Sequence, residues 1–413
     1  MTAPIRVTRS SNHVDIEERT MQYDYLIIGG GMVADSAARG IRERDTTGSI
    51  GILGADSDEP YTRPALSKKL WTDSDFGRDQ VPLDTASDTD AQVHTGTRVA
   101  SIDRSNSSVT TDQGERYEYG TLLVATGAEP TRIELAPSPR VVYFRTFADY
   151  RALRELTKTA DHIAVVGGGY IGTEIASALS LQGVKVTLVT SDAVVGAHMF
   201  PPSLAAVFDK GFADHGVTVR RGTKVTSGAE ASARVQLQLD DGSALEADGV
   251  VFGLGVRPST ELADAAGLSV DDGIVVDEFL RTEDDHVYAA GDVANYPDAI
   301  LGRRRVEHVD NATEMGKAAG RNMAGAAEPY SYTPYFYSDV YDDGYQAIGT
   351  LSTSLSTVED WKSVGKEGVV YYLDDEAVVR GVLMWNVWEG LDVARTLLAE
   401  KKPQTEQSLR GLI

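Results

Sequence analysis

Two stretches of the chain repeat one order of apolar and polar positions. The later copy is the stronger: an apolar run at 163–166, glycines at 167, 169 and 172, then apolar residues at helical spacing (Ile171, Ile175, Ala178, Leu179) over 170–182. Gly183 stands where a helix would end, a Val-rich run follows at 184–189, and Asp192 lies just beyond it. The earlier copy has YDYLII at 23–28, then Gly29, Gly31 and Ala34, a helical pattern over 32–44, a turn at 46–49, an apolar run at 50–53 and Asp56. After each copy come short alternating runs (98–102, 108–111 and 116–119; 217–220, 234–240 and 244–246). Each set is followed by a buried-strand pattern ending in glycine, TLLVATGAEP at 121–130 and VVFGLGVRP at 250–258. This order predicts an α/β chain with a duplicated dinucleotide-type domain, one copy inserted in the other.

The rest of the pattern completes the outline. Residues 144–157 read as a helix leading into the second copy. Runs at 273–276 and 286–293 precede a helix expected over 309–324. From 330 the composition turns Tyr-rich (SYTPYFYSDVYDDGY), followed by strands and a last helix at 389–401, which predicts a third, α+β domain. The expected organisation is a flexible tail at 1–20, a first domain at 21–146 and 251–329, a second at 147–250 and a C-terminal domain at 330–413.

Composition narrows the chemistry. There is no cysteine among the 413 residues, which excludes disulfides, thiolate metal sites, a cysteine nucleophile and a dithiol relay. Redox work would then run through a bound organic cofactor or a non-thiolate metal, and no metal-site residues are assigned. The formal net charge of −23 is spread along the chain and argues against nucleic acid as a partner. It fits either plain solubility or adaptation to high salt, many of the acids being Asp in loops and Lys being scarce beside Arg. No apolar run approaches the ~20 residues of a membrane helix, and a cytoplasmic location is expected.

The glycine spacing carries the first specific chemistry. In G-x-G-x-x-G the first glycine permits the tight turn, the second lets a pyrophosphate approach the backbone, and the third lets helix and strand pack closely. The helix N-terminus offers free N–H groups to phosphate, and an acid about 20 residues on accepts from a ribose hydroxyl. Two complete units predict two dinucleotides.

PYTRPALSKKLW, LLVATGAEP, VVGGGYIGTEIA, VYAAGDVA, RRVEHVDNA and PYFYSD, in that order, resemble the FAD-dependent pyridine nucleotide–disulfide oxidoreductase superfamily along most of the chain. They match its cysteine-free branch of ferredoxin and rubredoxin reductases, apoptosis-inducing factor and monodehydroascorbate reductase. The resemblance implies two Rossmann-like domains of glutathione-reductase type and FAD on the first unit. Gly29, Gly31 and Ala34 would form its pyrophosphate turn and Asp56 would hold the adenosine ribose. Arg63 and Lys68 would lie by the isoalloxazine, Ala125, Thr126 and Gly127 would close over the cofactor, and Asp292 would bind the ribityl chain. Glu307, His308 and Val309 would face the pyrimidine end of the flavin at a helix start, and Tyr337 would pack over the flavin edge.

NADH would take the second unit through Gly167, Gly169, Ile171, Gly172, Asp192 and Gly255. Tyr170 would cover the flavin until nicotinamide displaces it, and Glu174 would pair with Lys68. Lys68, Glu174, Tyr170 and His308 are the expected catalytic group. With Asp192 and no Arg beside it, NADH is favoured over NADPH. The implied reaction is hydride transfer from NADH to flavin N5, then electrons to a one-electron acceptor.

Three acceptor classes follow from the branch. The first is a small iron–sulfur protein such as ferredoxin or rubredoxin. Its acidity would repel this chain unless high salt or a basic patch at Arg303, Arg304 and Arg305 intervened. The second is a radical or quinone substrate of the monodehydroascorbate type, against which Thr313 stands where that family carries a substrate-binding Arg. The third is a redox sensor of the apoptosis-inducing-factor type, to which the C-terminal stretches are similar. The expected partners are NADH, the electron acceptor and, in solution, a second copy in a homodimer.

Overall fold

The computed structural model describes residues 21–231 and 233–413; the tail expected at 1–20 lies outside the described residues. The first sheet runs in the order Gln92–His94, Ile50–Leu53, Met21–Ile28, Arg116–Val124, Ser108–Thr111, Val99–Asp103. Met21–Ile28 pairs parallel with both Ile50–Leu53 and Arg116–Val124. Val287–Ala289 returns much later in the chain to pair parallel with Arg116–Val124. The second sheet is all parallel, in the order Thr218–Arg220, Lys185–Val189, His162–Val166, Gly249–Phe252, Val141–Tyr143. Its central strands are buried on both faces, which is why they read as unbroken apolar runs rather than alternation.

The C-terminal domain is a five-stranded antiparallel sheet ordered Tyr335–Val340, Asp343–Gly349, Val379–Trp385, Glu367–Leu373, Ser356–Ser363. One face is covered by its own helix Leu391–Glu400 through Ala394, Leu397 and Leu398. The other face packs on the second domain. There Trp385 stacks on Tyr345 at 5.5 Å and meets Phe200 and Phe208 edge-on.

The duplicated domains and α+β third domain therefore stand as expected, with shifts that have physical causes. Val141–Tyr143 already pairs in the second sheet, and Gly249–Phe252 still does. Both expected boundaries of the inserted domain, at 146/147 and 250/251, thus move outward. The antiparallel pair Ala128–Pro130 and Val256–Pro258 forms the double connection between the two domains. The runs at 116–119 and 121–124 are one strand: its start pairs antiparallel with Ser108–Thr111, its end parallel with Val287–Ala289. The run at 217–220, expected in a meander, is instead the parallel edge strand Thr218–Arg220; the meander is Val225–Ala231, Arg234–Leu239 and Ala244–Ala247. The helix Pro202–Asp214 has no counterpart in the sequence reading, and it supplies Phe208 and Phe212 to the core shared with the third domain.

One helix pair positions the future site. Met32–Arg42, which starts at the first glycine turn, lies against Val309–Met323, which starts at His308. A Cβ on Gly40 or Gly320 would overlap the backbone of the facing helix. The close approach locks the glycine turn and the His308 helix start into one rigid unit.

Candidate active site between two glycine turns

The two glycine turns have the same backbone. Gly29 has φ +116° and its N–H donates to Leu53 O at 2.9 Å; Gly167 has φ +121° and its N–H donates to Val189 O at 2.9 Å. A Cβ on Gly29 would overlap the carbonyl of Ala125, and one on Gly167 would overlap that of Gly253. At the third position Ala34 is fully buried, while a Cβ on Gly172 would strike Gly167 O. The second position is different. A Cβ on Gly169 would meet nothing within 4 Å, and one on Gly31 only the tip of Arg63 at 3.9 Å. Gly31 and Gly169 are also the N-caps of their helices, with no side chain bonded to the free N–H groups. Each turn is therefore closed against its strand and open where an anion would sit.

Both turns open on one cavity of about 1360 Å³, larger than the ~300–1,000 Å³ of a typical single-ligand pocket. Its wall includes Gly29, Gly31, Asp56, Arg63, Lys68, Ala125, Thr126, Gly127, Gly169, Tyr170, Ile171, Glu174, Gly255, Asp292, Glu307, His308, Val309 and Tyr337. Four expected residues lie off that wall: Ala34, Gly167 and Gly172 act within the turns, and Asp192 stands at the far end of the second unit.

At the centre Lys68 Nζ donates to Glu174 Oε1 at 2.6 Å, with side-chain exposures of 14% and 2%. Glu174 also accepts from Ser67 Oγ on Oε2 and from Ser338 Oγ on Oε1, both at 2.6 Å. A buried carboxylate so surrounded is compensated by one cation and two hydroxyls. These donors come from the first domain and the C-terminal sheet, and the acceptor from the second domain. Lys68 Nζ also lies 5.4 Å from the centre of the Tyr337 ring.

His308 faces this group. Its ring packs edge-on to Tyr170 at 6.0 Å and tilted against Phe336 at 5.3 Å. Burial, reinforced by the charge of Lys68, pushes its pKa down to about 3, so the imidazole is neutral at physiological pH. Its Nδ1 is buried without a hydrogen-bond partner. Burial and then the nearby Glu174 raise the Tyr170 phenol well above its usual range, and Tyr337 is pushed up to about 12, chiefly by burial. Both phenols are therefore neutral at physiological pH.

Two arginines frame the other end. Arg63 donates to Arg145 O at 2.9 Å, and Arg145 pairs with Asp292 Oδ2 at 2.7 Å. Burial, with Arg145 beside it, lowers the Arg63 pKa. Asp56 accepts from Tyr61 OH at 3.0 Å, Thr126 Oγ1 donates to Ser259 O, and Glu307 is engaged by Arg305. Asp192 Oδ2 meets His198 Nδ1 at 2.7 Å.

Sequence reasoning missed Arg145, Ser67, Ser338 and His198. The two serines lie within PYTRPALSKKLW and PYFYSD, but their shared partner Glu174 stands 107 and 164 positions away; Arg145 is a cation just before the Thr146 helix cap. Within the Arg303–Arg305 run, only Arg305 is paired with acids among the described residues. Arg303 donates to the carbonyls of Val276 and Asn295, and Arg305 is held by Asp272 and Glu307.

The residues present fit an FAD. The open second-glycine positions offer room for a diphosphate, the buried Nδ1 of His308 lacks a partner, and the Arg63 cation lies at the cavity wall. The open Gly169 position leaves the same room for a diphosphate at the second turn.

Comparisons with known proteins agree with this geometry. The family described as pyridine nucleotide-disulphide oxidoreductase matches residues 23–316, and the C-terminal family of mitochondrion-associated apoptosis-inducing factor matches 319–367. The ferredoxin–NAD(+) reductase component of the anthranilate 1,2-dioxygenase system of Burkholderia cepacia is 33% identical over 384 residues, covering 91% of this chain and 94% of that one. Apoptosis-inducing factor 1 of Dictyostelium discoideum is 31% identical over 429 residues, covering 94% and 80%. Among solved structures, a ferredoxin reductase from Rhodopseudomonas palustris superposes with a TM-score of 0.85 at 30% identity, covering 93% of this chain and 96% of that one.

Proposed function

This chain belongs to the pyridine nucleotide-disulphide oxidoreductase family, and we propose that it is an FAD-dependent NADH oxidoreductase whose electrons go to a small one-electron acceptor of the ferredoxin class. One observation carries the reading: two dinucleotide cradles of the same backbone open on one cavity, with the buried Lys68–Glu174 pair between them. The chain has no cysteine to relay electrons, so they leave from the cofactor's edge. The relatives named as ferredoxin reductases support the acceptor class.

Bound flavin supplies the chemistry, taking a hydride from NADH and returning electrons singly. The chain's residues orient and polarise. Gly29, Gly31 and the helix start at Met32 would hold the FAD pyrophosphate and Asp56 its ribose, with Arg63 neutralising charge. Gly167, Gly169, Ile171, Gly172 and Gly255 would hold NADH, with Asp192 accepting from the ribose and favouring NADH over NADPH. Glu174, bonded by Ser67 and Ser338, fixes the Lys68 ammonium at one place, where it would offer a preorganised positive charge to a bound flavin. His308, neutral and at the start of Val309–Met323, adds the positive end of a helix dipole without adding a proton that could leak. Tyr170 and Tyr337 close the flavin site from water.

The C-terminal match to apoptosis-inducing factor supports a second reading, a redox sensor that stays complexed with NADH. A monodehydroascorbate-type substrate has less support, because Thr313 carries no charge and its hydroxyl is spent on Val309 O. A steady-state screen of NADH oxidation with ferredoxin, rubredoxin, quinone, ferricyanide and oxygen, at low and molar salt, tests the proposal. Turnover fastest with the iron–sulfur proteins supports it. Turnover with none of them, together with a long-wavelength absorbance that persists in air, supports the sensor. A homodimer and a cytoplasmic location belong to the same proposal; sedimentation and cell fractionation test them.

A further inference from the structure

His198 is the feature that the reading above leaves without a part. It pairs through Nδ1 with Asp192 Oδ2 at 2.7 Å, leaving Oδ1 of the carboxylate for a ligand. Its turn is firmly held. Phe200, two residues on, is fully buried, Tyr372 OH donates to Met199 O at 2.6 Å, and Thr353 bonds to the carbonyls of Ala197 and His198. The imidazole itself is half exposed, and among the described residues Asp192 is its only polar side-chain partner.

We propose that His198 sets the choice between a 2′-hydroxyl and a 2′-phosphate on the coenzyme, with the pair admitting NADH when the imidazole is neutral and tolerating NADPH when it is protonated. The inference rests on the assignment of Asp192 to the coenzyme ribose. A bare carboxylate beside the ribose accepts from the 2′-hydroxyl and repels a 2′-phosphate. With a neutral imidazole the pair keeps its full negative charge and this discrimination holds. A protonated imidazole cancels that charge and places an N–H donor beside the phosphate site.

The surroundings leave the histidine as the group that changes. From the Thr218–Arg220 strand and the turn after it come Arg220 and Arg221, permanent cations, of which Arg221 is committed to Asp209. The segment 350–355 packed on the turn, TLSTSL, has no titratable side chain.

The test is equilibrium titration of the FAD-loaded protein with NAD+ and NADP+, neither of which reduces the flavin, from about pH 5.5 to about pH 8.5, across the range where histidines change charge. The ratio of NADP+ to NAD+ dissociation constants in the native chain should fall roughly five- to tenfold toward low pH, the size expected for cancelling one charge at a partly exposed site. The 2′-phosphate takes up a proton near pH 6 in every variant alike, so the comparison is with His198→Gln, which hydrogen-bonds but does not charge. Its ratio should lack the extra fall. Asp192→Asn separates the two levels. If it changes neither affinity, the ribose assignment fails; if it weakens NAD+ and strengthens NADP+ while His198→Gln tracks the native profile, the inference about His198 alone fails.

Discussion

At the scale of single residues, the account rests on Glu174 and what is bonded to it. Lys68→Ala should keep FAD but slow its reduction by NADH roughly tenfold or more, by loss of a preorganised charge; stopped-flow bleaching of the flavin measures this, and an unchanged rate would remove Lys68 from the reaction. Ser338→Ala deletes one of three donors to a buried carboxylate and should cost about 1–3 kcal/mol of stability, read by urea denaturation, while FAD content stays stoichiometric. His308 predicts a pH effect of definite sign. Its pKa falls from 6.5 to about 3 on folding, so the unfolded chain binds the extra proton and stability is lost as pH drops below about 6.5. Thermal melts of the native chain and His308→Gln should therefore converge toward acid, the variant losing less. Of these residues, Lys68 and Glu174 were legible because the resemblance pairs them with each other, whereas Ser338 has no such pairing although it lies in PYFYSD. A serine between Tyr337 and Asp339 acquires its meaning only when the C-terminal sheet docks on the second domain.

At the scale of elements, the glycine turns were fully legible, because their whole pattern of strand, glycines, helix, strand and acid is contiguous in the chain, although the carbonyls that exclude a Cβ at Gly29 and Gly167 come from the more distant Ala125 and Gly253. Gly172→Ala puts a methyl group into Gly167 O, and overpacking of this kind costs about 1–3 kcal/mol. It should abolish tight NADH binding while the protein remains yellow with FAD; calorimetric titration with NAD+ checks the first and the visible spectrum the second. The elements misread were those defined by distant partners. Thr218–Arg220 has the apolar-polar alternation of a meander strand, and only its parallel pairing with Lys185–Val189 makes it a sheet edge. Arg116–Val124 was split at Gly120, although that glycine is there to let Asp24 O of the neighbouring strand approach. The helix Pro202–Asp214 follows a Pro-Pro pair and turns its Phe208 and Phe212 to a domain far away in sequence.

At the scale of the whole molecule, three domains converge on one buried carboxylate, and the C-terminal sheet touches both the Lys68 site, through Ser338, and the His198 turn, through Tyr372. The chain as a whole is strongly acidic. Self-repulsion at a net charge of −23 weakens the compact state at low ionic strength, and salt screens it over a Debye length of ~10 Å at 0.1 M and ~3 Å at 1 M. The melting temperature should therefore rise between low and molar KCl; a flat profile would leave solubility as the sole reason for the acids. With Arg303 and Arg305 tied to their own domain, relief of repulsion by salt is also the way an acidic iron–sulfur partner could approach, so turnover with ferredoxin should increase with salt before it declines. The central claim is that both cradles serve one flavin. Anaerobic titration of the purified protein with NADH, followed by absorbance, tests it most directly: equimolar NADH should bleach the bound FAD, and oxidised ferredoxin should restore its colour. A protein that binds no FAD, or whose FAD is not bleached by NADH, would contradict it.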